Sequence, residues 1–227
     1  MIRFFRTNIV YPFLYIVFVL VFSWLIFIGC SRTDNLLGTI IDNSLPAPEF
    51  NLQNQFGNTV SISDYRGQVV VLTFLYSYCE DICPIVSNYF QQVYQLLEDD
   101  TDKVAFVIVS VDPKHDTIEN VYKYSDDRGM LHKWTYLVGD EGQLKRVWSS
   151  YYVDPTLSKN TEYSDKINEN SISSGTVDSF RDSIGVGYEI IHSAPIYLID
   201  PNGIMRVLFT LPFDPVNLVH DIKLLVE

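Results

Sequence analysis

The chain has 227 residues, a net charge of −12, 47% hydrophobic residues and 14% aromatic ones. That length holds one domain plus an appendage, and that apolar content argues for a packed core rather than disorder. The acidic balance excludes nucleic acid as a partner, because phosphate contacts need Lys and Arg, and three cysteines are too few for a disulfide scaffold.

Arg3 and Arg6 precede an apolar stretch from Ile9 to Gly29. About 20 such residues cross a bilayer as a helix, and a positive flank keeps the N-terminus in the cytoplasm. Residues 1–30 are therefore predicted to be a membrane segment, with the rest tethered on the extracytoplasmic side of the cytoplasmic membrane. Two readings of its end stay open. Phe27-Ile28-Gly29-Cys30 resembles the lipobox of a lipoprotein signal, in which cleavage leaves a lipidated Cys30. The other reading is an uncleaved helix anchor. Residues 31–45 read as a polar tether, and residues 46–227 as the domain.

Within the domain, Phe50 to Leu52 and Phe56 to Val60 read as a hairpin turning at Gly57-Asn58. Val69 to Leu75 is a continuous apolar run, as expected of a central strand buried on both faces. Pro84 to Leu97 has helical spacing on Ile85, Tyr89, Val93 and Leu96, with Pro84 in the first turn, where its missing N–H costs nothing. Val104 to Val111 is a second buried strand. Asp116 is predicted to cap a helix through Val121 and Tyr124. Thr135 to Val138 reads as a strand and Gln143 to Ser150 as a helix. Asp154 to Val186, rich in Ser, Asn, Asp, Thr and Gly, reads as an inserted loop. Ile196 to Ile199 and Ile204 to Thr210 form a second hairpin around Asp200-Pro201-Asn202-Gly203, and Pro215 to Leu225 a closing helix. The order βαβα then ββα describes an α/β, thioredoxin-like fold, a mixed sheet flanked by helices.

The chemistry lies in Cys79-Glu80-Asp81-Ile82-Cys83-Pro84, at the carboxyl end of the first central strand. Two cysteines four apart on a helix share one face. At that separation they serve either as a disulfide, with thiol exchange, or as a soft thiolate pair for copper. A helix N-terminus favours thiolate, while Glu80 and Asp81 oppose it. The best third ligand is His192, just before the strand at Ile196. Two thiolates and an imidazole suit Cu(I), or Cu(II) with a further weak ligand. His115, His132 and His220 read as surface residues. Tyr76, Tyr78 and Tyr89 read as packing residues, Asp112 as a turn residue or a hydrogen-bonding neighbour of the site, and Pro195 as a candidate cis-proline. Tyr76 stands where a peroxidase would need Thr or Ser before its cysteine, and structural zinc would need a fourth ligand.

Cys79-x-x-x-Cys83-Pro84, Val109-Ser110-Val111-Asp112-Pro113 with Asp116-Thr117, and His192-Ser193 ahead of Tyr197-Leu198-Ile199-Asp200-Pro201 together resemble the Sco/SenC family of copper proteins. Glu80 and Ile191 depart from the family pattern, which often has Pro and Asp there. The resemblance implies a metallochaperone with Cys79, Cys83 and His192 as copper ligands. Its role would lie in assembling the copper site of cytochrome c oxidase, as copper donor or as thiol reductant. The implied partner is the oxidase's copper-site subunit or another copper chaperone. The alternative is an extracytoplasmic thiol-disulfide oxidoreductase working through the Cys79/Cys83 pair.

Overall fold

A computed structural model describes residues 35–41, 45–153, 155 and 194–226. From Leu36 onward these belong to one compact unit, Leu36–Glu227. The predicted membrane segment, Cys30, most of the predicted insertion and His192 lie outside the described residues. Among the described residues, no helix is long and apolar enough to cross a membrane.

The strands are β1 (Thr39–Ile40), β2 (Asn51–Asn54), β3 (Thr59–Ser61), β4 (Val69–Leu75), β5 (Val104–Ser110), β6 (Thr135–Val138), β7 (Ile196–Ile199) and β8 (Met205–Phe209). The helices are α1 (Ile82–Leu97), α2 (Ile118–Asp127), α3 (Glu141–Ser150) and α4 (Pro215–Val226). The strands form one mixed sheet in the order β1-β8-β7-β4-β5-β6-β2-β3. β4 pairs parallel with β5, from Val69 opposite Val104 to Leu75 opposite Ser110. β7 flanks β4 on the other side, antiparallel, with Leu72 opposite Tyr197.

The two central strands behave as their composition demands. All seven residues of β4 are buried, and so are six of the seven in β5. A strand covered on both faces tolerates no alternation, so its sequence is apolar throughout. At the sheet's other flank Gln55 joins three backbone groups. Its amide donates to the carbonyls of Leu131 and Trp134, and its carbonyl accepts the Tyr136 N–H.

The helix after β4 exposes a different face from the predicted one. α1 buries Cys83, Val86, Phe90, Val93 and Leu97, whereas Ile85 and Leu96 are 44% and 43% exposed. Apolar residues flank the stripe on both sides, so spacing alone left two candidate faces. The helix begins at Ile82, and Cys83 in its first turn sets which face turns inward. Tyr89 meets the edge of Phe213 at 5.1 Å.

The predicted polar tether is also revised, because part of it belongs to the sheet. Thr39 and Ile40 pair with Leu208 and Val207 at the edge of β8. Both are exposed, so no apolar alternation marked them in the sequence. Just upstream, the buried carboxylate of Asp221 on α4 accepts the N–H groups of Leu37 and Gly38 at 2.9–3.0 Å. Among the described residues the cis peptide bond is Leu211–Pro212, and Pro195 is not preceded by one.

Candidate metal centre

β4 ends at Leu75, and the chain turns immediately. The Cys79 N–H donates to the Tyr76 carbonyl at 3.3 Å, closing a turn with Ser77 and Tyr78 at its centre. α1 then starts at Ile82 with no side-chain cap from Asp81. The Cys79 sulfur takes that place by accepting the Cys83 N–H at 3.3 Å. Free N–H groups at a helix start favour an anionic acceptor, and a thiolate serves as one. Cys79 therefore precedes the helix and Cys83 lies within it. The pair meets across a helix start rather than along one helix face.

Both thiols are free, and both are buried. The Cys83 thiol donates to Cys79, the largest influence on either group. That bond, with the N–H groups of Cys83 and Asp81 and the Tyr76 hydroxyl, draws Cys79 down to about 6 against the resistance of burial. Cys83 is pushed far up by the same shared proton and by burial. The helix start thus favours the thiolate, as the sequence predicts, although Glu80 and Asp81 stand beside it. Their side chains are exposed, and the Asp81 backbone N–H works for the thiolate. One thiolate beside one thiol is a poised soft donor pair.

Behind the turn lies a polar layer. Asp116 does not cap α2; Thr117 does, its hydroxyl accepting the Asn120 N–H at 3.2 Å. Asp116 is buried instead, facing Ser77, Ser110 and Tyr136. Burial lifts its carboxyl to about 6, although the Ser110 and Ser77 hydrogen bonds pull the other way. Asp112 is fully buried and binds His115 Nδ1 at 2.7 Å. Tyr78, read as a packing residue, is 55% exposed, with its ring 5.7 Å from that of His115. Tyr76 is buried as expected. His132 is exposed and stacks on Phe56 at 5.5 Å, and His220 is exposed beside Asp221.

Of the predicted ligands, the structure brings Cys79 and Cys83 together, and His192 lies outside the described residues. Among the described residues no cluster of three His, Cys, Asp or Glu side chains is arranged to hold a metal ion. The donor set still fits copper in kind: two buried sulfurs, one readily anionic. Ser77 and Tyr136 escaped the sequence reading, and Ser110 entered it only as part of a motif, with no role. Their one signal was position, a polar side chain at or beside the end of a buried apolar run.

The SCO1/SenC family profile matches residues 40–173, more than half of the chain, including both cysteines and Asp112 to Thr117 but not His192. A SCO2-like protein of Rickettsia typhi is 26% identical over 162 residues, 71% of this chain and 68% of that protein. The mitochondrial SCO2 homolog of Bos taurus is 30% identical over 159 residues, 69% of this chain, which spans only 50% of that relative's length. Among solved structures, Bradyrhizobium japonicum ScoI with copper bound superposes with a TM-score of 0.60 at 25% identity, covering 80% of this chain and 99% of that one.

Proposed function

The chain belongs to the SCO1/SenC family, and from that premise we propose that it is a membrane-tethered copper-binding protein. In this reading it delivers copper during assembly of the cytochrome c oxidase copper site, from the extracytoplasmic side of the cytoplasmic membrane. The proposed ligands are Cys79, Cys83 and His192. The observation that carries the reading is the buried, unbridged Cys79–Cys83 pair at the end of β4, with Cys79 drawn toward thiolate. Two further facts support it. A protein similar to this chain holds copper in its solved structure. The described chain resumes at Ala194, and Thr73 near the end of β4 donates to the Pro195 carbonyl at 3.0 Å.

Copper is cargo here. The Cys79 thiolate offers the first sulfur. The Cys83 proton leaves to bulk as the second sulfur engages, so affinity rises with pH. Two or three soft ligands leave room for an incoming ligand from the acceptor, which permits transfer by exchange. Titrating the reduced full chain in detergent micelles with Cu(I) against a competing chelator tests this. One tight equivalent in wild type, and weaker binding in His192→Ala, is the expected result. No binding in wild type would end the reading.

The same asymmetry favours a second reading, thiol-disulfide exchange. Cys79 thiolate attacks a substrate disulfide and forms a mixed disulfide, releasing one substrate thiol. Cys83, after losing its proton, displaces the second, leaving a Cys79–Cys83 disulfide and a reduced substrate. Activity in cells that survives His192→Ala but not Cys79→Ser or Cys83→Ser would select this reading.

A further inference from the structure

Asp116 is 4% exposed, yet its carboxylate collects four donors. They are the Ser77 N–H at 3.0 Å, the Ser77 hydroxyl at 2.5 Å, the Ser110 hydroxyl at 2.6 Å and the Tyr136 hydroxyl at 3.3 Å. The donors come from three places: the thiol turn, the end of β5 and β6. Asp116 itself is fixed, since its own N–H donates to the Asp112 carbonyl at 2.9 Å.

Ser77 is the second residue of the turn that Cys79 closes on Tyr76. Two bonds to one carboxylate oxygen hold both its backbone and its side-chain rotamer. A short turn pinned at its second residue leaves little freedom at its fourth, which is Cys79. The Cys79 sulfur in turn accepts the Cys83 N–H. A chain of bonded groups thus runs from Asp116 through Ser77 to both thiols.

We propose that Asp116 is the positioning residue of the thiol pair: a buried acceptor that pins the turn so that Cys79 faces Cys83 across the start of α1. This deepens the copper reading and rests on it only in taking the pair as the working site. The chemistry requires a carboxylate. Four donors converge on an acceptor-only group, and an amide in its place would turn its own N–H groups against them. Geometric support of this kind commonly changes affinity or activity 10–100-fold in metal sites.

The test uses the reduced full chain and follows alkylation of Cys79 by iodoacetamide against pH, resolved by peptide mass spectrometry. Ser77→Ala removes one bond and keeps the buried charge, so it separates position from electrostatics. Asp116→Asn removes the acceptor. Ser125→Ala is the stability control, because that buried hydroxyl bonds Trp134 and the Val121 carbonyl, away from the thiols. Ser77→Ala should move the alkylation midpoint upward and slow alkylation at pH 7 roughly tenfold, with Asp116→Asn moving it less, because that variant also removes a negative charge that holds the Cys83 proton on. Ser125→Ala should lower the thermal midpoint and leave the alkylation midpoint in place. If both Ser77→Ala and Asp116→Asn keep the wild-type alkylation midpoint, the proposal is overturned. Should Asp116→Asn not fold, Ser77→Ala alone decides. Copper titration of wild type is scored separately, so failure of the copper reading and failure of this one are distinct results.

Discussion

Two buried aspartates in different parts of the fold solve different problems with one side chain. Asp221, fully buried on α4, gathers the backbone N–H groups of Leu37 and Gly38 and the ring of His220. It fastens the entering chain to the last helix. Asp116, at the carboxyl end of the central strands, gathers mostly side-chain hydroxyls. It fastens the loop that carries the chemistry. The first contact is between elements of the frame, and any residue but proline can supply a backbone N–H. The second needs particular residues at 77, 110 and 136, and it adjoins the thiols. Loss of the first should cost stability without touching metal chemistry, and loss of groups around the second should reach the thiols as well.

The largest contrast is in copper affinity. Cys83→Ser is expected to weaken Cu(I) binding roughly a thousandfold, beyond the 10–100-fold that loss of an outer partner costs. Asp221→Ala should leave the one-equivalent titration intact. A comparable loss of copper in Asp221→Ala would erase the distinction between the two regions.

Next comes stability. Asp221→Ala strands the N–H groups of Leu37 and Gly38 and leaves a hole in α4, so chemical denaturation should show about 4 kcal/mol lost. A loss under about 1 kcal/mol would mean that β1 is held by its pairing to β8 alone.

The Asp116 side should answer to pH. Its carboxyl ionises near 6 in the fold, against 3.8 ordinarily, because burial disfavours the charge. Between those values the folded protein holds a proton that the unfolded chain has released. Its contribution therefore falls as pH rises from about 4 to about 6, by about 3 kcal/mol in total. Denaturation midpoints across that window should carry this slope in wild type and not in Asp116→Asn. An identical slope in the variant would assign the titration to another group.

The smallest effect is steric and returns to the frame. A Cβ on Gly38 would collide with Val207 Cγ1 and stand 2.7 Å from the Phe209 ring. Gly38→Ala should cost about 2 kcal/mol and leave the thiol alkylation profile unchanged, which calorimetry and the same alkylation assay would show.

Much of the frame was legible residue by residue. The apolar runs of β4 and β5 read as buried central strands, because each is short, bounded by turns and rich in β-branched residues. Asp200 to Gly203 could only be a turn, with Gly203 at a φ of 74°. The cysteine motif announced itself by its place after β4. β1 was not legible, since an edge strand with both side chains exposed leaves no alternation to read. The face of α1 was not legible either, as apolar residues ring most of that helix. Asp116 was misread because a helix of nearly the right register follows it, and local spacing favours a cap.

The linear order of residues settled which segments are strands and helices and which side chains carry reactive sulfur, since both follow from local periodicity and side-chain chemistry. Only the folded arrangement decided which sulfur is the thiolate, which carboxylate is buried and what that carboxylate holds. The thiolate is chosen within one turn, by Tyr76, Asp81 and Cys83, but the carboxylate's role depends on groups 20 to 40 residues apart meeting where water is excluded, as Asp116 meets Ser77 across 39 positions and Tyr136 across 20. No local pattern encodes such a meeting.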